Sequence, residues 1–299
     1  MAFAKYANAK ITKASIATDD WNKVRTASKV KVSSDSQIKD YSPDKYLLTH
    51  CTIIASVDVD ENGPKNDKGW YFYITPETEQ YVNSNQDSWE RSLLLLTYKT
   101  FIGGFNFVEH IQVPELSKGT IVDAVARDVG DSIYIDILVA TDLKHEELIK
   151  DIEEERISTL SMGCSVEFTI CTQCGNVAID DTQLCTHIKY QKGNHFLDKR
   201  GRKRKIAELC GHFTDPKSVK FIEASWVANP AFKGAVLRNI IQPEEVKEAA
   251  IKAAFEAMRS DIDPLAMQKA ASVTNALRTA NFFLKKGEGF DFGDAGGDE

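Results

Sequence analysis

Between residues 157 and 168, apolar and polar positions alternate. Leu160, Met162, Cys164, Val166 and Phe168 fall on one side, and Ser161, Gly163, Ser165 and Glu167 on the other. A period of two is that of a β-strand, so the first set predicts a core face and the second an outward face. Just upstream, Leu143, Leu148, Ile149 and Ile152 form an apolar stripe that predicts an amphipathic helix over residues 143–155. Residues 46–59 are rich in β-branched side chains and end in the turn cluster 60–64, which predicts a first strand. A second strand is expected at 70–74, stopped by Pro76, and a short helix at 77–83. A helix over 88–101, with Ser88 as N-cap, is broken by Gly103 and Gly104.

Residues 105–113 read as an extended segment ended by Pro114. Phe105, Phe107, Glu109, Ile111 and Val113 share one face, and Val108 and His110 the other. Residues 119–127 and 132–140 read as two strands joined by a hairpin turn at 129–131. A late strand over 219–232, closed by Pro230, places Phe221, Glu223, Ser225 and Val227 on one face and Ile222, Ala224 and Trp226 on the other. Pro243 then opens a helix with the stripe Val246, Ala250, Ile251, Ala254, Phe255 and Met258, and Asp263-Pro264 opens another.

These elements organise the 299 residues into four stretches. Residues 1–45, polar and without sustained periodicity, are expected to be an extended arm, and 46–240 a folded domain. Helices are expected over 241–286, and a disordered, glycine-rich acidic tail over 287–299. No apolar run approaches the ~20 residues needed to cross a bilayer. The chain also begins without a secretory apolar segment, so the expected setting is a reducing cytoplasm without membrane association. A net charge of −7 argues against general affinity for nucleic acid. In such a setting six cysteines point to metal rather than to disulfides.

Cys171, Cys174, Cys185 and His187 follow the pattern C-x2-C-x10-C-x-H. Two thiolates gripping one ion from a tight turn, completed by a further Cys and a His, form the tetrahedral shell that zinc prefers. With no obvious spare ligand position or general base, the expected role of this Zn2+ is structural. Cys210 and His212 lie close enough in sequence to compete as ligands. The basic run 199–205 is expected to be a solvated loop, with a nucleic-acid or acidic-partner patch as the alternative.

Gly163 lies two residues on from Ser161, on the same strand face. The missing side chain at Gly163 leaves the space that an approaching substrate backbone needs, which makes Ser161 a candidate nucleophile. A half-exposed strand serine without a catalytic role fits the same pattern. His110 is either a polar strand residue or the imidazole partner such a hydroxyl requires. Glu223, an acid among apolar strand neighbours, is either a satisfied structural group or the residue that orients a histidine. His50 and Cys51 read as two side chains packed in a strand.

The order His110, Ser161, Glu223 resembles that of the bacteriophage prohead (capsid maturation) serine proteases, whose fold is similar to the herpesvirus assemblin. The resemblance rests on Val108-Glu-His110, on Leu160-Ser-Met-Gly163 and on Glu223-Ala-Ser-Trp-Val-Ala-Asn-Pro-Ala231, and it covers about residues 46–238. It implies an α+β fold: a mostly antiparallel, β-barrel-like protease core with flanking helices and a C-terminal helical segment. It also implies a serine endopeptidase of the assembling phage prohead or virion in the host cytoplasm. Such an enzyme would cut scaffold and capsid proteins and itself, with His110 as base, Ser161 as nucleophile and Glu223 orienting the imidazole. A homodimer is compatible with this reading. The zinc-knuckle insert, about residues 169–213, departs from the family's general pattern, and the third triad position varies among relatives. Two alternatives stay open: an inactive, zinc-stabilised virion structural or scaffold protein with the same fold, and a cysteine enzyme using Cys164.

Overall fold

The computed structural model describes residues 3–5, 41–42, 44–130 and 132–241. The helices expected beyond residue 241, the tail over 287–299 and most of the expected arm lie outside the described residues. The early elements are β1 (Phe3–Lys5), β2 (Tyr46–Ala55), β3 (Asp87–Ser88), α1 (Arg91–Thr97), β4 (Phe105–Val108), β5 (Gly119–Asp128) and β6 (Ile133–Asp142). They are followed by α2 (Glu146–Glu153), β7 (Leu160–Val166), β8 (Thr169–Cys171), β9 (Val177–Ala178) and α3 (Thr186–Gln191). The last are β10 (His195–Leu197), β11 (Lys203–Lys205), β12 (Glu208–Cys210), β13 (Val219–Trp226) and β14 (Leu237–Ile241).

The fold is mixed α/β with sheets dominant. Eight strands form one sheet in the order β1-β7-β13-β4-β5-β6-β2-β14. Among the described residues this sheet is open, with β1 and β14 as its end strands, and no closed barrel forms, which corrects the barrel-like expectation. Within this sheet the pairings are antiparallel except β13 with β4, which run parallel, as β3 and β12 do in the smaller sheet. Bulges interrupt β2, β5, β13 and β14, where an extra residue bends the strand and reverses the side-chain alternation beyond it. A four-stranded sheet, β3-β12-β8-β9, and the β10–β11 hairpin carry the cysteine-rich insert.

The main core lies on one face of the large sheet. Leu160, Cys164, Val166, Val219, Phe221, Ala224 and Trp226 supply it from β7 and β13. Helix α1 closes over them with Leu93 and Leu94, and Phe101 stacks on Phe221 with ring centroids 4.2 Å apart. Full burial of each such side chain contributes roughly 1.5–3 kcal/mol before entropy is counted. The other face at β5 and β6 is also covered, by Val122, Val125, Leu138 and Ala140 with Tyr46, Leu48 and Ile241 against them. Burial on both faces explains why the β6 sequence is almost continuously apolar.

Several element boundaries differ from expectation. The run 88–101 splits: Ser88 ends β3 and donates to the Glu208 carbonyl, and the helix starts only at Arg91. Residues 70–74 make isolated bridges, Lys65 with Tyr71 and Val59 with Ile74, in place of a strand. The helix expected over 77–83 is a single 3-10 turn, Glu79–Tyr81. The first five residues contain β1, an edge strand paired to β7, within the stretch read as an arm. Among the described residues, no helix is long and apolar enough to cross a membrane.

Candidate active site and metal centre

Three neighbouring strands, β7, β13 and β4, present one face opposite the core. Register pairs Ser161 with Ser225, and Gly163 with Glu223. Across the parallel pairing, Glu223 faces Phe105 and Ser225 faces Phe107. Directly paired residues point to the same side of a sheet. Ser161, Gly163, Glu223 and Ser225 therefore share a face. The bulge at Ile222 is what puts Glu223 there. It lets Phe221 turn to the core while Glu223 turns outward, which corrects the expectation that the two share a face.

His110 is not on a strand. Strand β4 ends at Val108, and Glu109 and His110 both adopt left-handed backbone, with φ of 49° and 57°. The Ile111 amide donates to the Val108 carbonyl and closes a two-residue turn. Left-handed backbone costs about 1 kcal/mol or more per non-glycine residue, so something must hold it. Glu109 does so: its amide donates to the Trp226 carbonyl at 2.9 Å, and its carboxylate accepts from the Ala228 amide at 2.8 Å. The turn is thereby fixed to the end of β13, and the imidazole folds back over the shared face.

There His110 Nδ1 lies 2.8 Å from Glu223 Oε1. The Glu223 carboxylate is 1 % exposed and the imidazole 12 %. Ser225 donates its hydroxyl to Glu223 Oε2 at 2.6 Å, and Gln112 Nε2 approaches Oε1 at 3.5 Å. A carboxylate held on both oxygens fixes the plane and tautomer of a histidine bonded to it, leaving Nε2 as the nitrogen able to exchange a proton. Ser225 and Gln112 carry no role in the sequence reading. Ser225 was within reach of it, since it follows Glu223 at the same-face spacing. Gln112 was not, because the turn at 109–110 decides where it points.

Gly163 does not leave open space. A Cβ there would lie 2.5 Å from Glu223 Oε1 and 3.0 Å from Gln112 Nε2, so the glycine makes room for the carboxylate. Ser161 is 2 % exposed rather than half-exposed. Beside Glu223 and Gln112 a groove of about 430 Å³ opens, lined also by Phe105, Phe107, Pro114 and Lys220. Cys164, the alternative nucleophile, is wholly buried in the main core.

His50 and Cys51 pack within β2. His50 Nε2 lies 3.1 Å from Asp136, which also accepts from Thr52 at 2.6 Å and from Arg127 at 2.9 Å. Burial by itself would raise the Asp136 pKa, but the His50 and Arg127 contacts hold it well below the usual carboxylate range. Burial pushes the Cys51 thiol far above its ordinary value, which leaves it unreactive.

In the insert, the ligand atoms of Cys171, Cys174, Cys185 and His187 all lie within 4.8 Å of one another, and the cluster could hold a metal ion. His187 Nδ1 is 4.0 Å from the Cys171 sulfur and 3.8 Å from that of Cys185. A tetrahedral zinc shell needs neighbouring ligand atoms about 3.5–4 Å apart, so the cluster is compatible with zinc. The Cys171 thiol draws the Cys174 pKa far down, and Cys171 is pushed up by the same contact and by burial. Cys174 is thereby favoured as the thiolate, the form that binds metal. Gly175 turns the knuckle with φ of 72°, and a Cβ there would meet Phe72 at 2.7 Å. Cys210 and His212 do not compete. Cys210 is in the main core, and His212 stacks on Trp70 at 4.2 Å with its Nδ1 on Thr214.

The basic run is not wholly solvated. Arg204 is 1 % exposed and bridges Asp60 and Asp198, while Arg202 pairs with the same two acids. These ion pairs fasten the insert to the loop that follows β2.

No family model matches the chain, and no curated protein or solved structure matches it.

Proposed function

We propose that the protein is a serine endopeptidase of phage head maturation, with Ser161 as nucleophile, His110 as general base and Glu223 as the orienting acid. The observation that carries this reading is the 2.8 Å pair of His110 Nδ1 with buried Glu223, on the sheet face that Ser161 shares. In the proposed step His110 Nε2 takes the hydroxyl proton as the serine oxygen attacks a peptide carbonyl, and then delivers it to the leaving amine. Glu223 stabilises the imidazolium and holds its tautomer. Substrate would have to reach Ser161, which lines a cavity with Trp89, Met162, Ala231 and Phe232 and not the groove beside Gln112 and Glu223. The substrates proposed are scaffold and capsid proteins of the assembling head, and the chain itself.

The insert is proposed to bind one structural Zn2+ through Cys171, Cys174, Cys185 and His187. The ion would supply cross-linking of the knuckle, with its binding energy coupled to the order of the insert.

A second reading, an inactive virion structural or scaffold protein, draws support from the burial of Ser161, which must gain access before it can attack. Co-expression with capsid and scaffold proteins, followed by mapping of new termini, separates the two. Fragments that appear with wild type and vanish with well-folded Ser161→Ala support the protease. Fragments that persist in Ser161→Ala reject this nucleophile, and none from any chain favours the structural protein.

A further inference from the structure

Asp87 and Glu208 are register partners in the pairing of β3 with β12, so their carboxylates lie on the same side. Both are buried, with side chains 1 % and 4 % exposed. Two buried carboxylates side by side repel each other and lose their hydration, so they need a cation between them. Lys192 is that cation: its ammonium lies 2.9 Å from Asp87 Oδ1 and also bonds Glu208 Oε1. Lys192 is the C-cap of α3, whose second residue is His187 of the metal cluster. A helix of six residues is too short to be stable alone. Ile188 is its one buried residue, packed with Cys171 and Ile206. The metal cluster therefore ties down the first turn of α3, and through it the place of Lys192.

Asp87 also ends a loop, residues 83–87, that walls the cavity at Ser161. Asn83, Asn85 and Asp87 line this cavity with Ser161, Trp89 and Phe232. Its volume is about 10 Å³, room for about one water. A peptide reaches Ser161, 2 % exposed, only if a wall moves. The loop is a compact unit, closed by the Asp87 amide on Asn83 Oδ1 and by the Gln86 amide on the Asn83 carbonyl. Gln86 is left-handed, with φ of 62°, a conformation that local preference disfavours. The Ser84 amide on the Ala231 carbonyl and the Glu208 amide on the Gln86 carbonyl hold it down, together with the Lys192 ion pair. We propose that residues 83–87 are a gate over Ser161 and that Lys192 is its latch, a positioning residue that the metal-binding insert holds in place. Losing the ammonium, or the order of α3, leaves Asp87 and Glu208 facing each other uncompensated, so β3 parts from β12 and the gate leaves the cavity. The bearing on catalysis rests on Ser161 as the proposed nucleophile; the gate itself does not.

The test reads accessibility rather than proteolysis, on the full-length chain loaded with zinc. In Ser161→Cys, alkylation at position 161 by iodoacetamide, located by peptide mass mapping, should be slow. Adding Lys192→Ala should speed it about tenfold and raise deuterium uptake over residues 83–87, while uptake over residues 219–226 stays unchanged. Asp87→Asn, which keeps the shape of the side chain, should act the same way, and Lys192→Arg should keep the slow rate. Removing zinc with a chelator should match Lys192→Ala, and should add little in a chain that already carries that change. If Lys192→Ala does not fold by circular dichroism, Asp87→Asn and the chelator decide. Alkylation rates indifferent to these changes would overturn the gate. A rate that rises in the variants but ignores the chelator would overturn the link to the metal site. If these rates behave as expected while capsid and scaffold proteins go uncut, the protease reading fails and the gate stands.

Discussion

Gly163 and Glu223 face each other across β7 and β13, and the carboxylate occupies the volume that any larger side chain at position 163 would need, with Oε1 only 2.5 Å from the site of a Cβ. The glycine is thus a condition for the His110–Glu223 pair. Gly163→Ala should push Glu223 off His110 and cost about 1–3 kcal/mol through overpacking of a buried group. Denaturant unfolding measures the stability change. A variant as stable as wild type, with the His110 ring signals unmoved in NMR spectra, would contradict this geometry.

Glu223→Gln keeps the shape but replaces the carboxylate by an amide. On the proposed mechanism it should cut the chemical step by roughly 10³–10⁴, as loss of an orienting carboxylate does in serine triads. Substrate binding should change little, because Glu223 acts through His110. Separate kcat and KM values on a mapped cleavage peptide provide the check. A loss confined to KM would place Glu223 in substrate binding instead.

The metal cluster carries an expectation of its own. Purified protein should contain one zinc per chain by elemental analysis. Cys174→Ser should lose it and expose the insert to limited proteolysis, while the large-sheet core keeps its protection. Cleavage sites should concentrate between residues 171 and 207. Full zinc content in Cys174→Ser would remove that residue from the shell.

Glu90 supplies a pH dependence. Burial, with Asp58 and Glu61 nearby, raises its pKa from 4.5 to about 7. The native state therefore gives up this proton less readily than the unfolded chain does. Its contribution to stability is neutral below pH 4.5, falls as pH rises to about 7, and stays low above that. Glu90→Gln should match wild type at pH 4 and be more stable at pH 8, by on the order of 1–2 kcal/mol after allowance for screening. Equal gains at both pH values would show that ionisation is not the cause.

The sequence by itself determined the strand character of residues 160–166, the amphipathic helix before it, the hairpin of β5 and β6, and the four residues of the cluster that could hold a metal ion. These follow from interactions close in sequence: a period of two or 3.6, a turn between two apolar runs, a knuckle whose ligand spacing is set by one tight loop. Tertiary structure decided the rest. An inserted residue in β13 shifts the alternation, so pattern alone put Glu223 beside Phe221, and only pairing with β7 turns it to the face of Ser161. His110 reads as extended, but β13 holds its turn in a left-handed conformation that local preference disfavours. Arg204 reads as solvated until Asp60, 144 residues away, draws it into the interior. An open or closed sheet is likewise not written in any strand, because the amphipathic pattern of each is satisfied either way and only the edges differ.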